Sequence, residues 1–210
     1  MESWLAVVLK GIGLGLAVAA PIGPINVLCI QRTLTIGFAA GLATALGAAA
    51  ADASYAAVAA FGLSAVSGLL LDNQDFLRLA GGLMLLWLGA RAFLKGPAAA
   101  AANPSGGGAR LADGLSAYGL TIANPLTILT FVAILGGVGL QNLAESALSA
   151  ALALVLGVFI GTMMWMIFIA TLANLARRRA GDRFLLWANR LGGTVILGFA
   201  AWLLVGSVGG

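Results

Sequence analysis

One acidic residue, Asp52, lies in a long apolar stretch that runs from Gly37 to Leu71. A carboxylate at the centre of a membrane costs roughly 2.5–3.5 kcal/mol on insertion scales, so it usually faces a partner or a water-filled path. Tyr55 follows three residues later and shares the helical face of Asp52. We expect Asp52, with Tyr55 beside it, to bind a substrate amine or carry a proton. The alternatives are a position near the outer membrane surface or a cap on a neighbouring helix break.

A second feature is the sequence Pro-Ile-Gly-Pro at positions 21–24, with Asn26 shortly after it. Pro21 and Pro24 cannot donate backbone hydrogen bonds, and each clashes with the carbonyl four residues earlier. In a membrane, the freed backbone groups are tolerated only where protein or a water-filled cavity supplies partners. We therefore predict a helix break at Gly23, where carbonyl and N–H groups can hold a cation or a zwitterion. A purely structural kink is the alternative.

The dipeptide Asn124-Pro125 interrupts another apolar stretch. Pro125 disfavours helical geometry at the preceding residue, and Asn124 offers both amide donors and a carbonyl acceptor. Thr121 and Thr127 flank the dipeptide. We interpret Asn124-Pro125 as the counterpart, in the second half of the chain, of the break at residues 21–24. The alternative is again a structural kink, in which the two threonines bond back to their own helix.

The elements that must position these residues are membrane helices. Hydrophobic residues make up 61% of the 210-residue chain and charged residues 9%, against about 25% charged residues in ordinary soluble domains. The apolar runs are too long, and too little alternating, for barrel strands. We predict an all-α integral membrane protein with six segments, which are Trp4–Ile30, Gly37–Leu71, Phe76–Leu94, Leu115–Leu140, Ala147–Leu175 and Phe184–Val208.

Basic residues are concentrated on one side of the predicted membrane. The first, third and fifth connections carry an excess of arginine and lysine, namely Arg32, Arg91, Lys95, Arg110, Arg177, Arg178, Arg179, Arg183 and Arg190. The positive-inside rule makes that side cytoplasmic, so both termini are predicted to be periplasmic. This concentration of basic residues on the cytoplasmic side explains the net charge of +4, so we predict no nucleic-acid partner. The cluster Arg177–Arg179 is read as a topology anchor rather than a lipid-headgroup site.

The chain divides into two similar halves. Residues 1–95 and 113–210 each contain three predicted spans, and the Gly- and Pro-rich residues 96–112 form a predicted flexible linker. Each half opens with a Pro-interrupted span, and the sequences RLAGG at 78–82 and RLGG at 190–193 lead corresponding helices. Because each half has an odd number of spans, the second must be inverted. Inverted repeats with matching broken helices indicate a secondary transporter.

Several other classes of protein are excluded or disfavoured by composition. The chain has no histidine and a single cysteine, Cys29, so imidazole metal sites, histidine triads and an internal disulfide relay are excluded. We predict no cofactor, no metal centre and no enzymatic activity. Glycine pairs such as Gly157/Gly161 allow close helix approach and would suit a homodimer. Residues 163–166 are read as core or lipid contacts.

Several short motifs are distributed over nearly the whole chain, namely GLGL at 13–16, PIGPINVL at 21–28, GFAAGL at 37–42 and LGAAAAD at 46–52 in the first half, and ANP at 123–125, FVAI at 131–134 and GGVG at 136–139 in the second half. With these motifs the chain resembles the lysine-exporter (LysE/RhtB) family of amino-acid efflux transporters. Ile22 stands where many members have the first proline of a Pro-Gly-Pro motif. Leu126 stands where a lysine is frequent, which weakens any transfer of substrate identity.

The resemblance implies export of amino acids across a bacterial inner membrane, driven by the proton gradient. The substrate-binding residues we predict are Pro21, Gly23, Pro24, Asn26, Asp52, Tyr55, Asn124 and Pro125. An ion or metal cation exporter of the same broad superfamily is the main alternative, although such proteins usually carry several acidic residues within their spans. A membrane redox enzyme would need a second cysteine near Asn124, and a purely structural membrane protein would not need matched breaks.

Overall fold

The computed structural model describes residues 3–21, 23–60, 73–94, 107–124, 127, 130–131, 148–179 and 181–208. These residues form seven helices, and none of them belongs to a β-strand. The all-α prediction is therefore confirmed for this part of the chain. Residues 61–72 and 132–147, which contain the ends of the predicted second and fourth segments, lie outside the described residues.

The first predicted segment is a broken helix pair. Helix α1 (Trp4–Ala19) begins at Ser3, whose hydroxyl accepts a hydrogen bond from the Ala6 N–H at 3.2 Å. Helix α2 (Pro24–Thr35) begins with proline at its first position, where a missing N–H costs nothing. The two helix axes differ in direction by 82°. The predicted break at residues 21–24 is therefore present.

The other five helices complete the described structure. Gly37, whose φ of +135° suits a residue without a side chain, links α2 to α3 (Phe38–Ala60). The remaining helices are α4 (Gln74–Leu94), α5 (Gly107–Ile122), α6 (Leu148–Arg179) and α7 (Asp182–Val208). Helix α5 begins inside the predicted linker, since residues 107–112 are helical.

Eight arginines that were predicted to lie in connections are inside helices instead, namely Arg32, Arg91, Arg110, Arg177, Arg178, Arg179, Arg183 and Arg190. Arg32, in the last turn of α2, is 7% exposed. Exposed side chains are those of Arg110, Arg178, Arg179, Arg183 and Arg190. The sequence pattern of a charge near the end of an apolar run is the same whether the charge faces the cytoplasm or a buried partner. Arg32 is buried because it has partners in other helices.

Arg32 joins three helices through polar contacts. Its Nη1 donates to Thr44 Oγ1 of α3 at 3.0 Å and to the Asp113 carbonyl of α5 at 2.8 Å. Its Nη2 donates to Ser116 Oγ at 2.8 Å, and its Nε lies 3.3 Å from Asp113 Oδ1 in an ion pair. The planar guanidinium, with donors in fixed directions, suits such a junction. These contacts fix α2, α3 and α5 relative to one another.

Helices α1 and α6 meet through glycine. A Cβ added to Gly11 would lie 2.6 Å from the Leu154 carbonyl oxygen and 2.9 Å from Gly157 Cα. A Cβ on Gly15 would contact the Val158 carbonyl oxygen, and one on Gly161 would contact that of Ile12. The predicted close approach of small-residue faces is confirmed at this seam, which we call the α1–α6 glycine seam.

Three of the described helices are long and apolar enough to cross a membrane. They are Phe38–Ala60, Leu148–Arg179 and Arg183–Trp202, and the bent pair α1 and α2 together would make a fourth. Many large apolar side chains are exposed on these helices and on α4, among them Trp4, Trp87, Phe168 and Trp202. Such a surface suits a bilayer, in which lipid covers it. The multi-pass membrane character is confirmed, whereas the count of six spans stays a prediction.

The glycine seam generates a first prediction. Gly11→Ala should lower stability, because a methyl group would meet backbone atoms that cannot move aside, and overpacking typically costs about 1–3 kcal/mol. Gly13→Ala, on the same helix, is the matched control, because nothing lies within 4 Å of its added Cβ. Thermal unfolding of the two purified variants in detergent should show a lower midpoint for Gly11→Ala only. Equal midpoints would contradict the seam.

The Arg32 junction generates a second prediction. Arg32→Met should lower the free energy of unfolding by about 3–5 kcal/mol, because it leaves the buried partners of a charge unpaired. Arg110→Met is the control, since Arg110 is exposed on α5 and such surface changes usually stay within about 0.5 kcal/mol. Detergent-based thermal unfolding measures both. A loss no larger for Arg32 than for Arg110 would show that the junction is dispensable.

Candidate functional site

A cavity lies where the break between α1 and α2 meets the end of α5. Its volume is about 140 Å³, which is roughly ten times the volume that one water molecule needs by the same measure. Helices α3 and α6 complete its walls. The lining residues are Val18, Ala19, Pro21, Gly23, Pro24, Ile25, Asn26, Ala48, Asp52, Thr121, Asn124, Thr127, Thr130, Thr162 and Met166.

The structure brings most of the predicted site residues to this one cavity. Its lining includes Pro21, Gly23, Pro24, Asn26, Asp52 and Asn124, which come from both breaks and from α3. Tyr55 is not among the lining residues, and Pro125 lies outside the described residues. The residues therefore share a location, while their binding of a substrate stays a prediction.

The side chain of Asn26 hydrogen-bonds to backbone carbonyls of the first break. Its side-chain amide Nδ2 donates to the Ala19 carbonyl at 3.0 Å and to the Pro21 carbonyl at 2.8 Å. Both acceptors are carbonyls, so the NH₂ group must face them and the amide oxygen must point elsewhere. Asn26 is 6% exposed, and its Oδ1 is buried without a hydrogen-bond partner. An unpaired buried acceptor is costly, and a donor on a bound molecule would satisfy it.

The first turn of α2 also has unpaired donors. Gly23 is the N-cap and provides no side-chain hydrogen bond, and Pro24 has no N–H. Val27 N–H bonds to the Gly23 carbonyl at 3.2 Å. Among the described residues, no acceptor pairs with the N–H groups of Ile25 and Asn26. A helix N-terminus with free N–H groups attracts negative charge.

Asp52 lies on the opposite wall, on α3. It is 4% exposed, and its Oδ2 accepts a hydrogen bond from Thr162 Oγ1 of α6 at 2.9 Å. Within the described part of the chain, no lysine or arginine forms an ion pair with Asp52, and no donor pairs with its Oδ1. The cavity thus contains a carboxylate with room for a second, cationic partner.

Tyr55 supports the second break instead of lining the cavity. Its hydroxyl donates to the Ile122 carbonyl, at the end of α5, at 2.6 Å. Its ring stacks on Phe131 with the ring centroids 5.3 Å apart. The tyrosine therefore satisfies one of the carbonyls that the end of α5 leaves without a helical partner. Its sequence position, one turn after Asp52, indicated proximity to the site but not this role.

Hydroxyl and thioether side chains in the lining were not predicted from the sequence. Thr130, Thr162 and Met166 line the cavity, and Met166 also belongs to the buried core, as predicted. Thr121 donates back to the Ala117 carbonyl at 2.9 Å, as the alternative interpretation of the second break anticipated. The signal for Thr162 was its spacing after Gly157, which repeats that of Asp52 after Gly47.

The lining contains groups that can bind a cation and groups that can bind an anion. An acidic group and an amide oxygen can hold a cation, and helix N–H groups can hold an anion. No group of three or more His, Cys, Asp or Glu residues that could hold a metal ion occurs in the searched, described residues. The arrangement therefore suits a small molecule that carries both charges.

Comparisons with known proteins identify the family of the chain. The family model described as LysE type translocator matches residues 16–207. The chain is also 29% identical over 185 residues to the uncharacterized membrane protein YahN of Escherichia coli strain K12, covering 83% of this chain and 78% of that protein. No solved structure gives a significant match. The chain therefore belongs to the LysE type translocator family, whose members are membrane transporters.

Proposed function

We propose that this protein exports amino acids, or similar small zwitterions, from the cytoplasm across the bacterial inner membrane, coupled to the proton gradient. The observation that carries the proposal is the pairing of opposite charge preferences in one cavity. Asp52 and the unpaired Oδ1 of Asn26 suit an ammonium group, whereas the N-terminus of α2 suits a carboxylate. Both ends of an amino acid then find partners within the same lining.

The ammonium end is assigned to the acceptors. Asp52 Oδ2 already accepts from Thr162, which leaves its remaining lone pairs for a substrate donor. Asn26 Oδ1 is a neutral acceptor that needs a donor. Charge-assisted hydrogen bonds of this kind are roughly twice as strong as neutral ones. Protonation of Asp52 would compete with the ammonium group, which gives a route to proton antiport.

The carboxylate end is assigned to α2. The N–H groups of Ile25 and Asn26 are the second and third of the helix, the ones that a side-chain cap would normally occupy. Gly23 leaves that position open. Discontinuous helices whose N-termini face an anionic substrate group are a recurring feature of secondary transporters.

The packing supports an inverted repeat in the transporter. Helix α1 packs on α6 and α5 packs on α3, while α3 also contacts α6 and α4 contacts α7. If α1, α3 and α4 are interchanged with α5, α6 and α7, these same helix contacts result. Gly47 of α3 approaches the backbone of Gly114 in α5, as Gly157 of α6 approaches that of Val8 in α1. On this repeat Asp52 and Thr162 are equivalent positions, and they contact each other.

The proposed orientation follows from the basic residues. Arg178 and Arg179 are exposed at the end of α6, beside exposed Arg183 and Arg190 of α7. The positive-inside rule assigns this end to the cytoplasm, and both termini then lie in the periplasm. Alternating access would move the breaks around the fixed cavity.

The first test is efflux from preloaded cells. Cells with and without the protein are loaded with labelled amino acids, and their release is followed by mass spectrometry. Faster release of one class, lost when the proton gradient is collapsed, is the expected result. Asp52→Asn should abolish this release while leaving membrane insertion intact, because a neutral amide cannot attract the ammonium group. Ser54→Ala, on the same helix, is the control. Normal export by the Asp52 variant would remove Asp52 from the mechanism.

Analogues of the exported amino acid test the two ends separately. In competition assays, the decarboxylated amine and the N-acetyl derivative should each bind about ten- to a hundredfold more weakly, since a hydrogen bond to a charged group contributes about 1.5–3 kcal/mol. An amine that competes as well as the amino acid would contradict the role of α2. If no amino acid is released by the unmodified protein, the ion exporter becomes the better hypothesis, and metal-tolerance assays follow.

A further inference from the structure

Thr162 uses its hydroxyl differently from other threonines in the described helices. Five threonines donate to the carbonyl four residues earlier in their own helix, which are Thr33, Thr35, Thr44, Thr121 and Thr194. Thr162 instead points across the helix interface. Its Oγ1 lies 2.9 Å from Asp52 Oδ2 and 3.4 Å from the carbonyl oxygen of Gly15 in α1. The side chain is 1% exposed, so water does not offer it other partners.

The hydroxyl has one proton for these two acceptors. When Asp52 is ionised, its carboxylate is the stronger acceptor, and Thr162 donates to it at the shorter distance. The longer contact with Gly15 is then at most a weak hydrogen bond. The connection between α6 and α1 at this point is therefore weak in the ionised state.

Protonation of Asp52 reverses the hydrogen bond. A proton taken up from the medium onto Asp52 Oδ2 becomes a donor, and Thr162 Oγ1 becomes its acceptor. The hydroxyl proton of Thr162 must then turn away, and the Gly15 carbonyl is the acceptor within reach. An ammonium group bound at Asp52 leaves the residue ionised and does not cause this reversal. The proton-loaded and substrate-loaded states thus differ in one bond across the α1–α6 glycine seam.

We propose that Thr162 is a positioning residue that ties α1 to α6 when Asp52 is protonated and releases α1 when Asp52 is ionised. The proposal rests on the proposed function for the role of Asp52. Gly15 precedes the helix break closely, and α1 ends at Ala19, whose carbonyl lies in the break. A bond at Gly15 therefore acts on the segment that leads into the cavity. The seam relies otherwise on apolar and glycine contacts between the described parts of α1 and α6.

Few other titratable groups surround Asp52 in the described structure. Helix α6 has none between Leu148 and Ala176, and the only one of α1 is the exposed Lys10. Helix α2 offers Cys29 and Arg32, and α5 offers Arg110, Tyr118 and Asp113, the last of which is paired with Arg32. Tyr55 lies on α3 itself. Thiols, phenols, lysines and arginines ordinarily titrate above neutral pH, so an acid-range change in α1 would be assigned to Asp52.

Hydrogen exchange tests the proposed hydrogen bond from Thr162 to the Gly15 carbonyl, which we call the tie, without a transport assay. Purified protein in detergent is exchanged at several pH values, with rates corrected for the intrinsic effect of pH, and peptides covering α1 are followed by mass spectrometry. Unmodified protein should show roughly five- to tenfold slower exchange in α1 at acidic pH, the effect of one neutral hydrogen bond. Thr162→Val should abolish this protection, and Thr162→Ser should keep it. Asp52→Asn should be protected at every pH, because its amide donates to Thr162 permanently.

Transport kinetics provide a second readout. In proteoliposomes, Thr162→Val should slow efflux driven by a proton gradient roughly five- to tenfold more than it slows amino-acid exchange at uniform pH, because exchange needs no protonated state. Thr194→Val is the matched control, since Thr194 bonds only to its own helix, and it should change neither rate. Equal slowing of efflux and exchange would overturn the proposal by showing a general structural role.

The outcomes separate the two proposals. Protection of α1 that does not change with pH, or that persists in Thr162→Val, overturns the tie whether or not amino acids are exported. Protection that behaves as expected, in a protein that exports no amino acid, supports the tie and contradicts the proposed function instead.

Discussion

The need to satisfy backbone groups at a helix break inside apolar surroundings governs this structure. The interruption between α1 and α2 at Pro21 and Pro24 frees carbonyls that lipid cannot solvate. Asn26 meets the demand with its two amide hydrogens, which bond to the Ala19 and Pro21 carbonyls. That solution uses the donor half of the side chain and leaves the acceptor half buried and unpaired. The same residue that stabilises the break therefore creates a preference for a bound donor.

The break matters because two different kinds of packing meet at it. Helix α2 is held by Arg32 to α3 and α5, and by Gln31, whose amide donates to Asn189 of α7 at 2.8 Å. Helix α1 meets α6 through glycine backbones, with apolar side chains around them. Directional hydrogen bonds resist sliding, whereas smooth glycine faces have no such directionality. The two helices of this bent pair are thus held by different kinds of contact.

The sequence was sufficient to predict most of the residues that meet at the cavity, but not the hydrogen-bond partners around it. Proline chemistry and one intramembrane carboxylate predicted the break, Asp52 and Asn124, because those residues are costly in lipid unless something compensates them. The partners of Tyr55 and Arg32, which are the Ile122 carbonyl and Asp113, were not predicted, because they come from α5, far along the chain. Thr162 looked ordinary, because a threonine in an apolar helix usually bonds back to its own backbone. Only the crossing of α3 and α6 gives it a carboxylate to face.

On the proposed function, that crossing also explains how a single carboxylate serves two ligands. Asp52 is held by one neutral hydroxyl rather than by an arginine or lysine among the described residues. A cationic partner would keep the residue permanently ionised and would compete with an incoming ammonium group. A hydroxyl both donates and accepts, so it accommodates the charged and the neutral acid equally in geometry. Arg32, by contrast, is committed to Asp113 and to three hydrogen bonds. On the proposed function, the chain thus separates Asp52, the carboxylate that changes partners, from Asp113, the carboxylate that keeps its partner.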